Sequence, residues 1–214
     1  MHKILLAAGA AVAIASAPAS AAVVITNSPG AVQPSENVLF QTNNQTGTTV
    51  EGITNQTNTR VAFTSTTDTL LTTGSQGQAR LEATDGSLDQ LTFGLSNMMT
   101  FTEAEFNLFN ALSNTTQVVI SLSSGLTQTF ALIPNGQNFF GIRATGGDTL
   151  TSIIFNTNGS GVADLRQVRI GGISSPMGAV PEPSTWAMML LGFGFIGGAM
   201  RTAKRRQRVA LSYA

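Results

Sequence analysis

Glu103 and Glu105 are the first residues in this chain whose types and spacing could do chemistry. Two positions apart on a strand, they share a face with Cβ atoms about 7 Å apart, and carboxyl pairs that cleave glycosidic bonds sit roughly 5–9.5 Å apart. The distance therefore permits an acid–base pair. Catalysis also needs a cleft, whereas neighbouring outward glutamates ordinarily make a solvated face. A second acidic grouping, Asp85-Gly86-Ser87-Leu88-Asp89, puts two carboxylates and a hydroxyl in one loop. Calcium takes several oxygen ligands, and Asp148 from another loop, with backbone carbonyls, could complete a shell around Asp85 and Asp89. An ordinary polar turn explains the same residues more simply.

Nucleophile devices are missing from the pattern. The chain has no cysteine and one histidine, His2. No G-x-S-x-G elbow occurs, and the serines between residues 22 and 182 have no lysine to serve as a base. The paired glycines Gly146-Gly147 and the stretch Gly159-Ser160-Gly161 read as β-turn residues, with no strand–loop–helix context for a phosphate. No resident cofactor is expected, apart from the calcium alternative.

The elements that must position these residues are strands. Thr, Ser, Asn, Gln and Gly dominate residues 22 to 180, with Val, Ile, Leu and Phe spaced among them. Short strands are expected at 22–26, 38–42, 48–54, 60–66, 68–72 and 77–84, the last with Ala79, Leu81 and Ala83 inward. Leu91, Phe93 and Leu95 continue the alternation after an Asp85-Gly86 turn. Phe101 to Leu112 fits a strand with Glu103, Glu105 and Asn107 outward, or one helix face through Phe106, Phe109 and Leu112. The strand is preferred because its surroundings are β. Further strands follow at 117–122, 127–133, 138–144, 149–156 and 165–170. This spacing predicts an all-β fold, an antiparallel β-sandwich of jelly-roll or lectin-like arrangement.

Both ends of the chain differ from this body. Lys3, an apolar run from Ile4 to Ala17 and the box Ala19-Ser20-Ala21 read as a signal peptide over 1–21. Signal peptidase would cut after Ala21 and leave Ala22 as the new N-terminus; a retained anchor is the alternative. Residues 22–179 form the expected sandwich domain. From Ala22 to Glu182, five arginines stand against eleven carboxylates, a net charge of −6. That acidity argues against nucleic acid as a partner.

Residues 180–208 hold a short rigid element, Pro181-Glu182-Pro183, then Trp186-Ala187 leading an uncharged run to Met200, then Arg201, Lys204, Arg205, Arg206 and Arg208. A helix over about 185–201 would cross a membrane with the basic tail 201–208 inside. The uncharged run spans only about 22 Å against a hydrocarbon core of roughly 30 Å, so the crossing is short. A buried C-terminal helix is the alternative.

This combination of motif, apolar run and basic end resembles the PEP-CTERM sorting signal in its PEP-x-x-W-A form. The resemblance covers about thirty residues. It implies export, transient anchoring in the inner membrane, and recognition by an exosortase-like membrane protease or transpeptidase with cleavage near Pro181-Glu182-Pro183. It also implies a bacterial host that makes exopolysaccharide or biofilm matrix, and a product at the cell surface or outside the cell. Two functions follow as expectations: a non-enzymatic surface or matrix protein that meets extracellular polysaccharide, or a glycan-acting hydrolase or calcium-dependent carbohydrate-binding module.

Overall fold

The computed structural model describes residues 22–42, 44–73, 80–110, 115–175, 188–198 and 200–201. The chain divides into two compact units, Met1–Ser175 and Pro176–Ala214. Ala19 and Ala21 of the expected signal peptide lie outside the described residues, as do Pro181, Glu182, Pro183, Trp186, Ala187, Lys204, Arg205, Arg206 and Arg208.

The first unit is all β and its pairings are antiparallel. Its strands are β1 (Ala22–Thr26), β2 (Glu36–Leu39), β3 (Thr46–Gly47), β4 (Thr49–Thr54), β5 (Arg60–Thr64), β6 (Leu70–Thr73) and β7 (Arg80–Ala83), then β8 (Gln90–Leu95), β9 (Glu103–Asn110), β10 (Gln117–Leu122), β11 (Thr127–Ala131), β12 (Gly136–Thr145), β13 (Ser152–Asn156) and β14 (Asp164–Gly171). Sheet one runs β1-β12-β9-β14, and sheet two runs β4-β5-β8-β13-β10-β11. The short strand β2 belongs to both: Glu36 and Asn37 pair with β14, while Val38 and Leu39 pair with β4. From β8 onward the chain alternates between the sheets, with the β10–β11 hairpin as the one pause.

Alternation explains why these segments are strands. In β10 the inward Val118, Ile120 and Leu122 are buried while Gln117, Val119 and Ser121 face away. The inner faces meet through a row of phenylalanines. Phe40, Phe63 and Phe93 lead through sheet two to Phe106 and Phe140 of sheet one, with neighbouring centroids 5.3–5.7 Å apart. Edge-to-face and offset rings of this kind add to the area they bury.

Strand β9 departs from the sequence expectation. Glu105 and Asn107, expected outward in solvent, are buried on the outer face of sheet one. The segment after β1 crosses that face over Glu105, while Asn107 is closed in beside Gln137 and Asn138. The segment passes close because two strand positions there are glycine: a Cβ on Gly141 would press on Val32, and one on Gly171 would press on Pro34. A bare strand glycine often marks such a close approach of another segment.

Strand β14 is split along its free edge. Leu165 and Arg166 pair with β7, Arg169 and Ile170 with β2, and a bulge lies between them. Gln167 takes the left-handed conformation there, at φ 52°. The bulge bends the strand so that one edge serves two partners.

The first and last described stretches of this unit lie on one rim. Ala22 pairs with Thr145, and Arg143, two residues earlier, pairs with Glu103, which in turn pairs with Gly171. Ser174 bridges Thr100 just beyond that row. Ala22 and Ser174 are thus three strand spacings apart, about 14 Å.

In the second unit, residues 188–198 and 200–201 are helical and exposed, with Leu190, Leu191, Phe193, Phe195 and Ile196 among them. Among the described residues no helix is long and apolar enough to cross a membrane.

Candidate functional site

The Glu103–Glu105 pair is placed on one face, but each carboxylate already has a partner. Glu103 meets Arg143 at 3.1 Å, and Glu105 faces Arg169 at 3.8 Å. Glu105 also accepts the Gly30 backbone N–H at 3.0 Å. Covered by the crossing segment, it has neither the cleft nor the free oxygen that an acid–base role requires. The same face carries Arg166, bound through two nitrogens to Asp164 and seated 4.0 Å over the Phe109 ring. Its hydrogen bonds to Asp164 push that guanidinium further up, so it stays charged. Four of the five body arginines thus sit on sheet one, beside Glu82, Glu103, Glu105 and Asp164.

Asp85 and Asp89 stay together, whereas Asp148 does not join them. Asp89 precedes Gln90, which pairs with Asn156; Asp148 precedes Ser152, which pairs with Gly94 at the other end of β8. The expected three-aspartate grouping is therefore divided between opposite ends of sheet two. The neighbour that sequence spacing could not supply is Asp68. Its Oδ2 accepts from Ser65, Thr67 and the backbone N–H groups of Asp89 and Gln90. Burial pushes the Asp89 carboxyl up, and the negative charges of Asp68 and Asp85 add to this while Ser87 Oγ–H opposes it. Among the described residues, no group of three acids or histidines is arranged to hold a metal ion.

A polar groove on sheet two was not apparent from spacing. Strand β2 ends at Leu39, so only Ile53 and Thr54 of β4 have a backbone partner on that side. The Gln45 side chain takes over at Glu51, accepting its N–H at 3.1 Å and donating to its carbonyl at 3.0 Å. The loop through Gln41 and Thr42 consequently stands off the sheet and leaves a groove of about 360 Å³. Gln41, Thr42 and Gln45 line it together with Glu51, Gly52 and Ile53 of β4 and with Asn58 and Arg60. Arg60 donates to Glu51 at 2.6 Å, and both side chains are about half exposed or more, so the pair contributes little to stability.

At the other end of the chain, the exposed apolar helical residues lead to Arg201, itself helical and the first of the basic residues after that run. Residues 179–206 match the PEP-CTERM protein-sorting motif. The chain carries a PEP-CTERM sorting segment.

That PEP-CTERM match spans Pro181-Glu182-Pro183, the apolar run and the basic residues through Arg206, and leaves the body unassigned. No curated protein matches the chain. Solved structures similar to it include a family 29 carbohydrate-binding module, as a mutant complexed with mannohexaose, at 10% identity over 73% of this chain and 94% of that one, with a TM-score of 0.22. Another family 29 module is 12% identical over 73% and 91%, with a TM-score of 0.22. A module from Cellvibrio mixtus lichenase 5A, in complex with cellotriose, is 12% identical over 56% and 95%, with a TM-score of 0.14. Scores this low assign neither ligand nor strand order to the PEP-CTERM chain.

Proposed function

We propose that this is an exported, non-enzymatic surface or extracellular-matrix protein, processed by an exosortase-like membrane protease or transpeptidase. The PEP-CTERM match over residues 179–206 carries the reading. In it, signal peptide 1–21 directs export, the body 22–179 is the working part, and a helix over about 185–201 holds the chain in the membrane until cleavage near Pro181-Glu182-Pro183. The exposed apolar helix at 188–198 supports that last role, because such a surface is unfavourable in water and suits a lipid phase. The strand alternation after β8 supports a jelly-roll body. Commitment of Glu103 and Glu105 to arginines favours a binding or scaffolding body over a hydrolase.

Deleting residues 181–214 in an exosortase-bearing host tests the proposal. Loss of the processed form and of surface retention is expected. Unchanged processing and retention would sink it.

A further inference from the structure

We infer that the groove lined by Gln41, Thr42 and Gln45 and by strands β4 and β5 binds a short stretch of neutral polysaccharide. The inference rests on the export reading, since only an exported body meets such a polymer.

Four properties of the groove converge on that ligand class. Its volume of about 360 Å³ falls at the small end of the range for ligand sites, roughly 300–1,000 Å³. Its exposed polar groups are the amides of Gln41 and Asn58, the Thr42 hydroxyl and the Arg60–Glu51 pair. Vicinal hydroxyls of a sugar both donate and accept, and this set offers carboxylate and carbonyl acceptors beside guanidinium and amide donors. Ile53, half-buried in the lining, supplies an apolar contact for the C–H face of a ring.

The third property is charge. Glu51 and Arg60 cancel within the groove, while the body around it, residues 22–179, has ten carboxylates against five arginines, a net charge of −5. An acidic polymer would be repelled at long range with no local cation left unpaired to hold it. The fourth is preorganisation. Gln45 is fixed at both its amide oxygen and its nitrogen to the backbone of Glu51, so the wall it carries needs no ordering when ligand arrives. A peptide partner is disfavoured by the polar lining, which has no apolar pockets for alternate side chains.

Calorimetric titration of the full chain in detergent micelles with cellohexaose, xylohexaose and a hexamer of galacturonic acid tests this. Binding of a neutral hexasaccharide in preference to the acidic one is expected. The double variant Gln41→Ala, Arg60→Ala should weaken it at least tenfold, and Gln41→Ala alone, at an exposed loop position, about threefold. Gln137→Ala on the outer face of sheet one should leave it unchanged. Equal affinity of the groove variants, tighter binding of the galacturonate hexamer, or no binding of either neutral hexasaccharide overturns the inference. A chain that is processed and retained normally yet fails these titrations leaves the export reading standing. A chain that binds cellohexaose but is processed without its tail does the reverse.

Discussion

Phe93 of sheet two meets Phe106 of sheet one edge to face, with ring centroids 5.3 Å apart and planes at 82°. Both rings are fully buried, and they are the point where the phenylalanine row passes from one layer to the other. Phe106→Ala removes the ring and leaves a cavity that two stiff sheets cannot close, so it should cost about 3–5 kcal/mol. Phe106→Leu should cost less, about 1–2 kcal/mol. Urea unfolding followed by circular dichroism measures both.

Glu36 ties the sheet-switching strand β2 to the β4–β5 hairpin. Burial pushes its carboxyl up, but hydrogen bonds from Thr57, Thr54 and Gln56 outweigh that and hold it below the usual carboxylate range. The folded state thus favours the charged form. Its stabilisation is complete above about pH 4.5 and disappears as the pH falls through the lower, folded value. Glu36→Gln weakens charge-assisted bonds at 2.9 Å from the Thr57 N–H and hydroxyl, and should cost about 1.5 kcal/mol at neutral pH. Urea midpoints taken from pH 3 to 7 should rise with pH more steeply in the wild type than in the variant.

Asp89 has the opposite sign. With its carboxyl raised in the folded state, the native protein binds the extra proton and loses stability as the pH rises from 3.8 through the raised value. Asp89→Asn should therefore raise the melting temperature at pH 7, while Ser87 can still donate to the amide oxygen. The gain should vanish below pH 3.8. A variant less stable than wild type at pH 7 would contradict this account.

Gly94 in β8 has no room for a side chain. A Cβ there would overlap the carbonyl oxygen of Thr151, a backbone atom that cannot rotate away. Gly94→Ala should force the strand apart and cost about 3 kcal/mol. Gly86→Ala is the comparison for an open position: nothing lies within 4 Å of its Cβ, and only its φ of 84° is unfavourable. The thermal midpoint of the first variant should fall further.

Where one face of a strand meets the core and the other meets water, the residues declare it. Strands β1 and β10 fall where alternation places them, over Ala22–Thr26 and Gln117–Leu122. Strand β9 hid its true environment because Glu105 on its second face is met by Gly30, 75 residues away, and Glu105 carries no mark of that. The legible trace was indirect: Gly141 and Gly171, bare positions inside strands, where Val32 and Pro34 now lie. Strand β2 was expected at 38–42 and forms at Glu36–Leu39, because Thr57 captures the Glu36 carboxylate. Asp148 could not be separated from Asp85 and Asp89 without strand register. The groove depends on where β2 stops, again a matter of pairing. The sorting segment was legible because residue types in fixed order, with no tertiary context, define it.

The shared rim of Ala22 and Ser174 bears on maturation. Among the described residues every buried core side chain lies between Ile25 and Ile170, so removing what precedes Ala22 or follows Ser175 would take none of them. Trimming from both sides would release a finished object without asking it to refold. The loops with Asp68 and Asp89 lie at the other end of β8, so a change of sequence there leaves the Ala22 and Ser174 rim as it is.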